Sequence, residues 1–265
     1  MSNPDQDLIF FKDNSLISSK ILNSSLSSLS TITYIPSVLP TWLITSLIEN
    51  VITGKTNINK DYKNVIDDKC KITIISFLHD EKFYTNNLKK IGVNVNNSDR
   101  FKVVDYFSHL FTELIKDPTD ATKKIEELFN LENVGDVVIV EGIEILLYGT
   151  NISSDELLFN ITKLNRKCKQ LFMVVGKSER GIDFDDFNGK YLETDPEFKI
   201  TDFLVKLFHR SMLNVSLEPL TTGRAKDITG SLTVSKGAID MDIEVSEKEY
   251  VYFISKDSQV KLYYR

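Results

Sequence analysis

Thr31-Ile32-Thr33-Tyr34-Ile35-Pro36-Ser37-Val38-Leu39-Pro40-Thr41-Trp42-Leu43 is the stretch on which the fold of this 265-residue chain is read. Thr31 to Ile35 is a short β-branched and aromatic run. Pro40-Thr41 then starts a helix, with Trp42, Leu43, Leu47, Ile48, Val51 and Ile52 at helical spacing. Strand, loop and helix in this order open a nucleotide-binding α/β domain, yet the loop from Tyr34 to Thr41 holds no glycine and no lysine. A phosphate-cradling loop needs glycines so that consecutive N–H groups converge on phosphate oxygens, and a lysine to meet the β/γ charge. Pro36 and Pro40 remove two of those donors.

Working outward, Lys71 to Leu78 reads as a buried strand, and Glu81 to Ile91 as a helix stopped by Gly92. Phe101 to Val104 reads as a strand running into a helix that carries Phe107, Leu110, Phe111, Leu114 and Ile115 and ends at Asp117-Pro118. A helix is expected over Ala121 to Leu131. Val137-Val138-Ile139-Val140 is a continuous β-branched run, as in a central parallel strand covered on both faces, and it ends in Glu141. A helix around Ser154 to Arg166 leads to another buried strand, Gln170 to Val175; after a polar segment, Lys177 to Glu197, comes a helix over Thr201 to Arg210. From Met212 the period changes to two in Val215/Leu217, Leu232/Val234 and Tyr250/Tyr252/Ile254.

The fold class is therefore α/β: a mostly parallel sheet flanked by helices, with a C-terminal antiparallel β-meander. No Pro/Gly-rich linker divides the chain, so residues 31–265 are expected as a single domain. Residues 1–30 are expected as a peripheral N-terminal arm. Within it, Ser15 to Ser30 alternates serines with Leu16, Ile17, Ile21, Leu22, Leu26 and Leu29, and disorder is the alternative.

The net charge of −6 and pI near 5.3 argue against an autonomous nucleic-acid binder, so any such contact must be local or shared with a partner. Met1 to Asp7 lacks the basic and apolar regions of a signal peptide, and the apolar stretches Tyr34 to Ile52 and Val137 to Leu147 are too short or too polar to span a bilayer. A soluble intracellular protein without a membrane partner is expected. Cys70 and Cys168 form no Cys-x-x-Cys pair, and His79, His109 and His209 are scattered, so free thiols and no metal site are expected.

Gly54-Lys55-Thr56 imitates the end of a G-x-x-x-x-G-K-[ST] motif, but its first glycine would fall at Glu49 and the tripeptide follows a helix instead of preceding one. Gly54 is better read as a helix C-cap. Glu141 stands where nucleotide-hydrolysing α/β domains keep the Walker-B acid. A carboxylate there holds Mg²⁺ through water, or is a relict once the phosphate loop is gone. Asp80 and Glu81 end the second strand near the place of a water-orienting carboxylate, or cap the next helix. Arg224 and Lys226, at i, i+2 in an extended segment, read as trans contacts to a neighbour's phosphates or as solvated charges. Lys177, Arg180 and Lys190 punctuate an acidic polar loop; they are candidates for RNA phosphates, against a solvated or interface-forming loop.

Ser76-Phe77-Leu78-His79-Asp80-Glu81-Lys82-Phe83-Tyr84-Thr85-Asn86-Asn87-Leu88, the block from Leu220 to Leu232 and the terminal Lys261-Leu262-Tyr263-Tyr264-Arg265 resemble the Elongator complex protein 6 family, in the form typical of budding yeasts. The resemblance runs in order across nearly the whole chain. It implies a RecA-like fold without a functional Walker A motif, so that Glu141 is a degenerate Walker-B position. It also implies assembly with Elongator proteins 4 and 5 into a heterohexameric ring, two copies of each, that joins the catalytic Elongator subunits. That ring is implicated in tRNA binding for wobble-uridine modification, in cytoplasm and nucleus. The resemblance supplies no catalytic residue and no cofactor. An active RecA-type ATPase with a divergent phosphate loop is the alternative.

Overall fold

The computed structural model describes residues 6–60, 66–67, 69–96, 98–178, 194–220 and 227–264. Among these, one sheet contains β1 (Ser28–Tyr34), β2 (Ile72–Ser76), β3 (Phe101–Asp105), β4 (Val137–Glu141), β5 (Gln170–Gly176), β6 (Leu213–Glu218), β7 (Gly230–Lys236), β8 (Lys248–Ile254) and β9 (Val260–Tyr264). Their spatial order is β3-β2-β4-β5-β1-β6-β7-β8-β9. β3, β2, β4, β5, β1 and β6 run parallel, and β7, β8 and β9 continue antiparallel. The change at Met212 therefore comes one strand early in the sequence reading. β6 is parallel to β1, and it alternates buried and half-buried residues because it borders the meander.

Among the described residues seven α-helices flank this sheet: α1 (Ser19–Leu22), α2 (Thr41–Thr53), α3 (Glu81–Lys90), α4 (Thr122–Phe129), α5 (Glu144–Gly149), α6 (Ser154–Asn165) and α7 (Pro196–Phe208). Alternation along each strand splits the core in two. Ile74, Ile139, Phe172 and Val174 join α2 and α3 on one face. Ile75, Val138, Val140, Met173 and Val175 join α4 to α7 on the other.

Three local expectations change. The helix expected from Phe107 is a turn, in which Asp105 accepts from Ser108 N–H at 3.0 Å, followed by a π-helix over Leu110–Leu114. The five-residue step turns both Leu110 and Ile115 into the core and leaves Phe107 and Phe111 outside. α7 starts at Pro196, five residues before the expected Thr201, because Asp195 caps Phe198 N–H at 3.0 Å and proline suits the first helical position.

The segment read as a peripheral arm supplies Leu8, Phe10, Phe11, Leu16, Ile17 and Ile21 to the core under α2 and the meander. Its backbone is tied at both ends of that layer, Leu8 N–H to Ile58 O at 2.7 Å and Phe11 bridged to Val245. The serines are compatible with burial because Asp13 accepts from the hydroxyls of Ser15 and Ser18 at 2.5 and 2.7 Å.

Candidate functional site

The carboxyl ends of β1, β2, β4 and β5 bring Tyr34, Ser76, Glu141 and Gly176 to one edge, with Ser76 opposite Glu141 and Tyr34 opposite Gly176. Ligands of open α/β sheets bind at such an edge. The loop from β1 to α2 turns there through a Val38 N–H to Ile35 O bond of 2.9 Å. No residue between Tyr34 and Thr41 takes positive φ, so the loop does not curl its amides into a phosphate nest. α2 begins at Pro40 without a side-chain cap. Gly54 has φ 71° and donates to Asn50 O at 2.9 Å, which makes it the C-cap of α2.

Glu141 is 1% exposed and its Oε2 is enclosed by its own chain. The Tyr84 hydroxyl, from α3, donates to it; His79 Nδ1 lies at 3.1 Å and Ser76 Oγ at 3.5 Å. The His79 ring stacks on Phe83 at 3.7 Å between centroids. Ser76 Oγ in turn accepts from His79 N–H at 2.9 Å and sits 2.8 Å from Tyr84 Oη. A carboxylate removed from water in this way is held by charge-assisted hydrogen bonds. Burial, followed by the charge of Glu141, pushes the Tyr84 hydroxyl far above the ordinary range, so it stays a donor. Asp80 caps α3, accepting from Phe83 N–H at 2.8 Å, which is the capping role weighed for it.

Three residues on, Glu144 opens α5 and meets a different environment. Oε1 accepts from Gly176 N–H at 2.8 Å, while the buried Oε2 has no hydrogen-bond partner. Burial pushes its carboxyl up to about 7. Glu144, Tyr34, Pro36, Tyr148, Lys177 and Glu197 line a cavity of about 380 Å³ beside the β1–α2 loop. Sequence reasoning passed over Glu144, treating it only as a polar break in an apolar stretch. The αL Gly142, φ 78°, between β4 and α5 was the available signal that the chain turns sharply there.

Of the expected phosphate contacts, Lys177 donates to Glu218 at 2.7 Å and Ser216 at 3.3 Å on β6, so its charge is compensated within the chain. Arg180, Lys190, Arg224 and Lys226 lie outside the described residues. The described residues contain no group of three or more His, Cys, Asp or Glu placed to hold a metal ion, and no helix among them is long and apolar enough to cross a membrane.

No protein-family model matches the chain. Elongator complex protein 6 of Saccharomyces cerevisiae is 30% identical over 277 residues, covering 98% of this chain and 98% of that protein. The chain belongs to the Elongator complex protein 6 family. This member has a RecA-like fold. The flagellar accessory protein FlaH from Methanocaldococcus jannaschii superimposes with a TM-score of 0.57 at 12% identity, over 93% of this chain and 94% of FlaH. The uncharacterized protein PH0321 from Pyrococcus horikoshii does so with 0.51 at 13%, over 90% and 92%. At such identities these two structures speak to the fold alone. As an Elongator complex protein 6 family member the chain has an Elongator-related function.

Proposed function

We propose that this chain is a non-catalytic RecA-like subunit of the Elongator accessory ring, assembled with Elongator proteins 4 and 5 as a heterohexamer of two copies each. In that setting it supports tRNA binding for wobble-uridine modification by the catalytic Elongator subunits, in cytoplasm and nucleus. The observation that carries the reading is the relationship to yeast Elongator complex protein 6 along 98% of both chains. The non-catalytic part is supported by geometry: a proline-bearing loop without positive φ where a phosphate cradle would lie, and a Glu141 occupied by Tyr84 and His79. The competing reading, an active ATPase with a divergent phosphate loop, requires Glu141 to turn from those partners toward a metal-nucleotide. Arg224 and Lys226 are the proposed contacts to a neighbour's nucleotide, and Lys177, Arg180 and Lys190 the proposed loop contacts to tRNA; the Lys177 to Glu218 pair leaves Arg180 and Lys190 the better candidates in that loop.

Co-expression with Elongator proteins 4 and 5 should give a native mass of two copies of each, and the isolated chain should show no ATP turnover. A monomeric species beside the other two subunits, or turnover abolished by Glu141→Gln, defeats the proposal.

A further inference from the structure

The groove between α4 and α6 is a second concave feature, about 760 Å³, on the face of the sheet remote from α2. In a chain of net charge −6, its rim is locally cationic. The two acids there are consumed: Glu126 by Lys163 at 2.6 Å and Glu127 by Lys124 at 2.7 Å. Lys167 rests on neutral oxygens, Asn130 Oδ1 at 3.1 Å and Leu131 O at 3.0 Å. Lys123 and Arg166 are exposed side chains that form no ion pair among the described residues.

Helix stability accounts for only part of this. Cations beyond the end of α6 suit the negative end of its dipole, which explains Arg166 and Lys167. Lys123 lies in the first turn of α4, where a cation is disfavoured and no acid balances it. Phe159 is 60% exposed on α6, with Lys163 Nζ 4.3 Å from its ring centroid. Phe159, Lys163 and Arg166 follow one another at i, i+4 and i+7 on one stripe of α6; Lys163 and Arg166 line the groove, and Phe159 borders it through its contact with Lys163. An exposed aromatic ring on the same helix stripe as the unpaired Arg166, with Lys123 across the groove, is an arrangement that can hold a phosphate backbone and stack an unpaired base.

We propose that the α4–α6 groove binds the ribose-phosphate backbone of RNA, with Lys123 and Arg166 on phosphates and Phe159 as the stacking platform for an unpaired base. The choice of RNA rests on the tRNA-binding reading above, and the surface is distinct from the 177–190 loop. The test uses the ring assembled with Elongator proteins 4 and 5, comparing wild type with K123E/R166E and, separately, F159A, in tRNA titrations at several salt concentrations. The charge-reversed ring should bind roughly tenfold more weakly, and its salt dependence should flatten by about one phosphate contact per removed cation. F159A should weaken binding with the salt slope unchanged. K123Q/R166Q, which tests the same cations with less perturbation, should fall between wild type and the reversed variant. Failure of the wild-type ring to bind tRNA defeats the function proposed above. A ring that binds tRNA with wild-type affinity and slope after K123E/R166E defeats this surface alone, as does loss of ring assembly in K123Q/R166Q, which would mark the groove as a subunit interface.

Discussion

The two halves of the sheet's carboxyl edge carry a buried glutamate each and treat it oppositely. Between β2 and β4, Glu141 is held by Tyr84, His79 and Ser76. Between β5 and β1, Glu144 has one amide donor and an unpartnered oxygen beside a cavity. Two carboxyl groups at similar depth thus differ in the number of donors supplied, and the difference separates a closed half from one whose carboxyl is pushed up to about 7. The donors point inward to Glu141 on one side, and on the other the Gly176 N–H is the donor to Glu144.

The sharpest way to break this contrast is Tyr84→Phe, which removes the hydroxyl that donates to the buried Glu141. Taking the donor away from a buried carboxyl group costs up to about 3 kcal/mol. Urea unfolding should show that loss, and Y84F/E141L should recover part of it through the coupling of the two sites. A loss below about 1 kcal/mol would mean that solvent already reaches the carboxylate.

Glu144→Gln probes the other half. The carboxyl is raised from 4.5 to about 7, so the folded state binds the proton more tightly than the unfolded chain. Its stabilising contribution is complete below about pH 4.5 and is lost as pH rises through about 7, on the order of 3 kcal/mol in all. The variant should lack that decline between pH 5 and 7.5 in denaturation measurements. An unchanged pH profile would place the titration elsewhere.

Lys177→Ala should have the smallest effect. The pair with Glu218 is part-exposed, with the lysine holding the Glu218 carboxyl below its ordinary value. The expected cost is under about 1 kcal/mol, reduced further at high salt. A larger loss would show that Lys177 fastens the end of β5 to β6.

Local signals made several parts of this protein legible. The β-branched run Val137 to Val140 is central because parallel strands covered on both faces need no polar alternation, and Gly54 ends α2 because only a residue without Cβ adopts αL there at no cost. The missing glycines after Tyr34 likewise announced a loop that does not cradle phosphate. Other features had no local signature. Ser15 and Ser18 looked like surface residues until Asp13 supplied acceptors, and the start of the chain proved to be core. The turn after β3 replaced a helix because Leu110 and Ile115 had to share one buried face, which the regular 3.6-residue period does not provide.

Sequence by itself determined the central strands β2, β4 and β5, the helices α2, α3 and α6, and a loop after Tyr34 without glycine or lysine, because periodicity, proline and glycine act within a few residues of themselves. Tertiary structure alone decided that Tyr84 closes over Glu141 from 57 residues away, that Glu144 is left with an unpartnered oxygen, and that α4 and α6 leave Lys123 and Arg166 uncompensated across one groove. Those outcomes depend on which donors and charges the packed helices bring within a few ångströms, and distance along the chain carries no record of that.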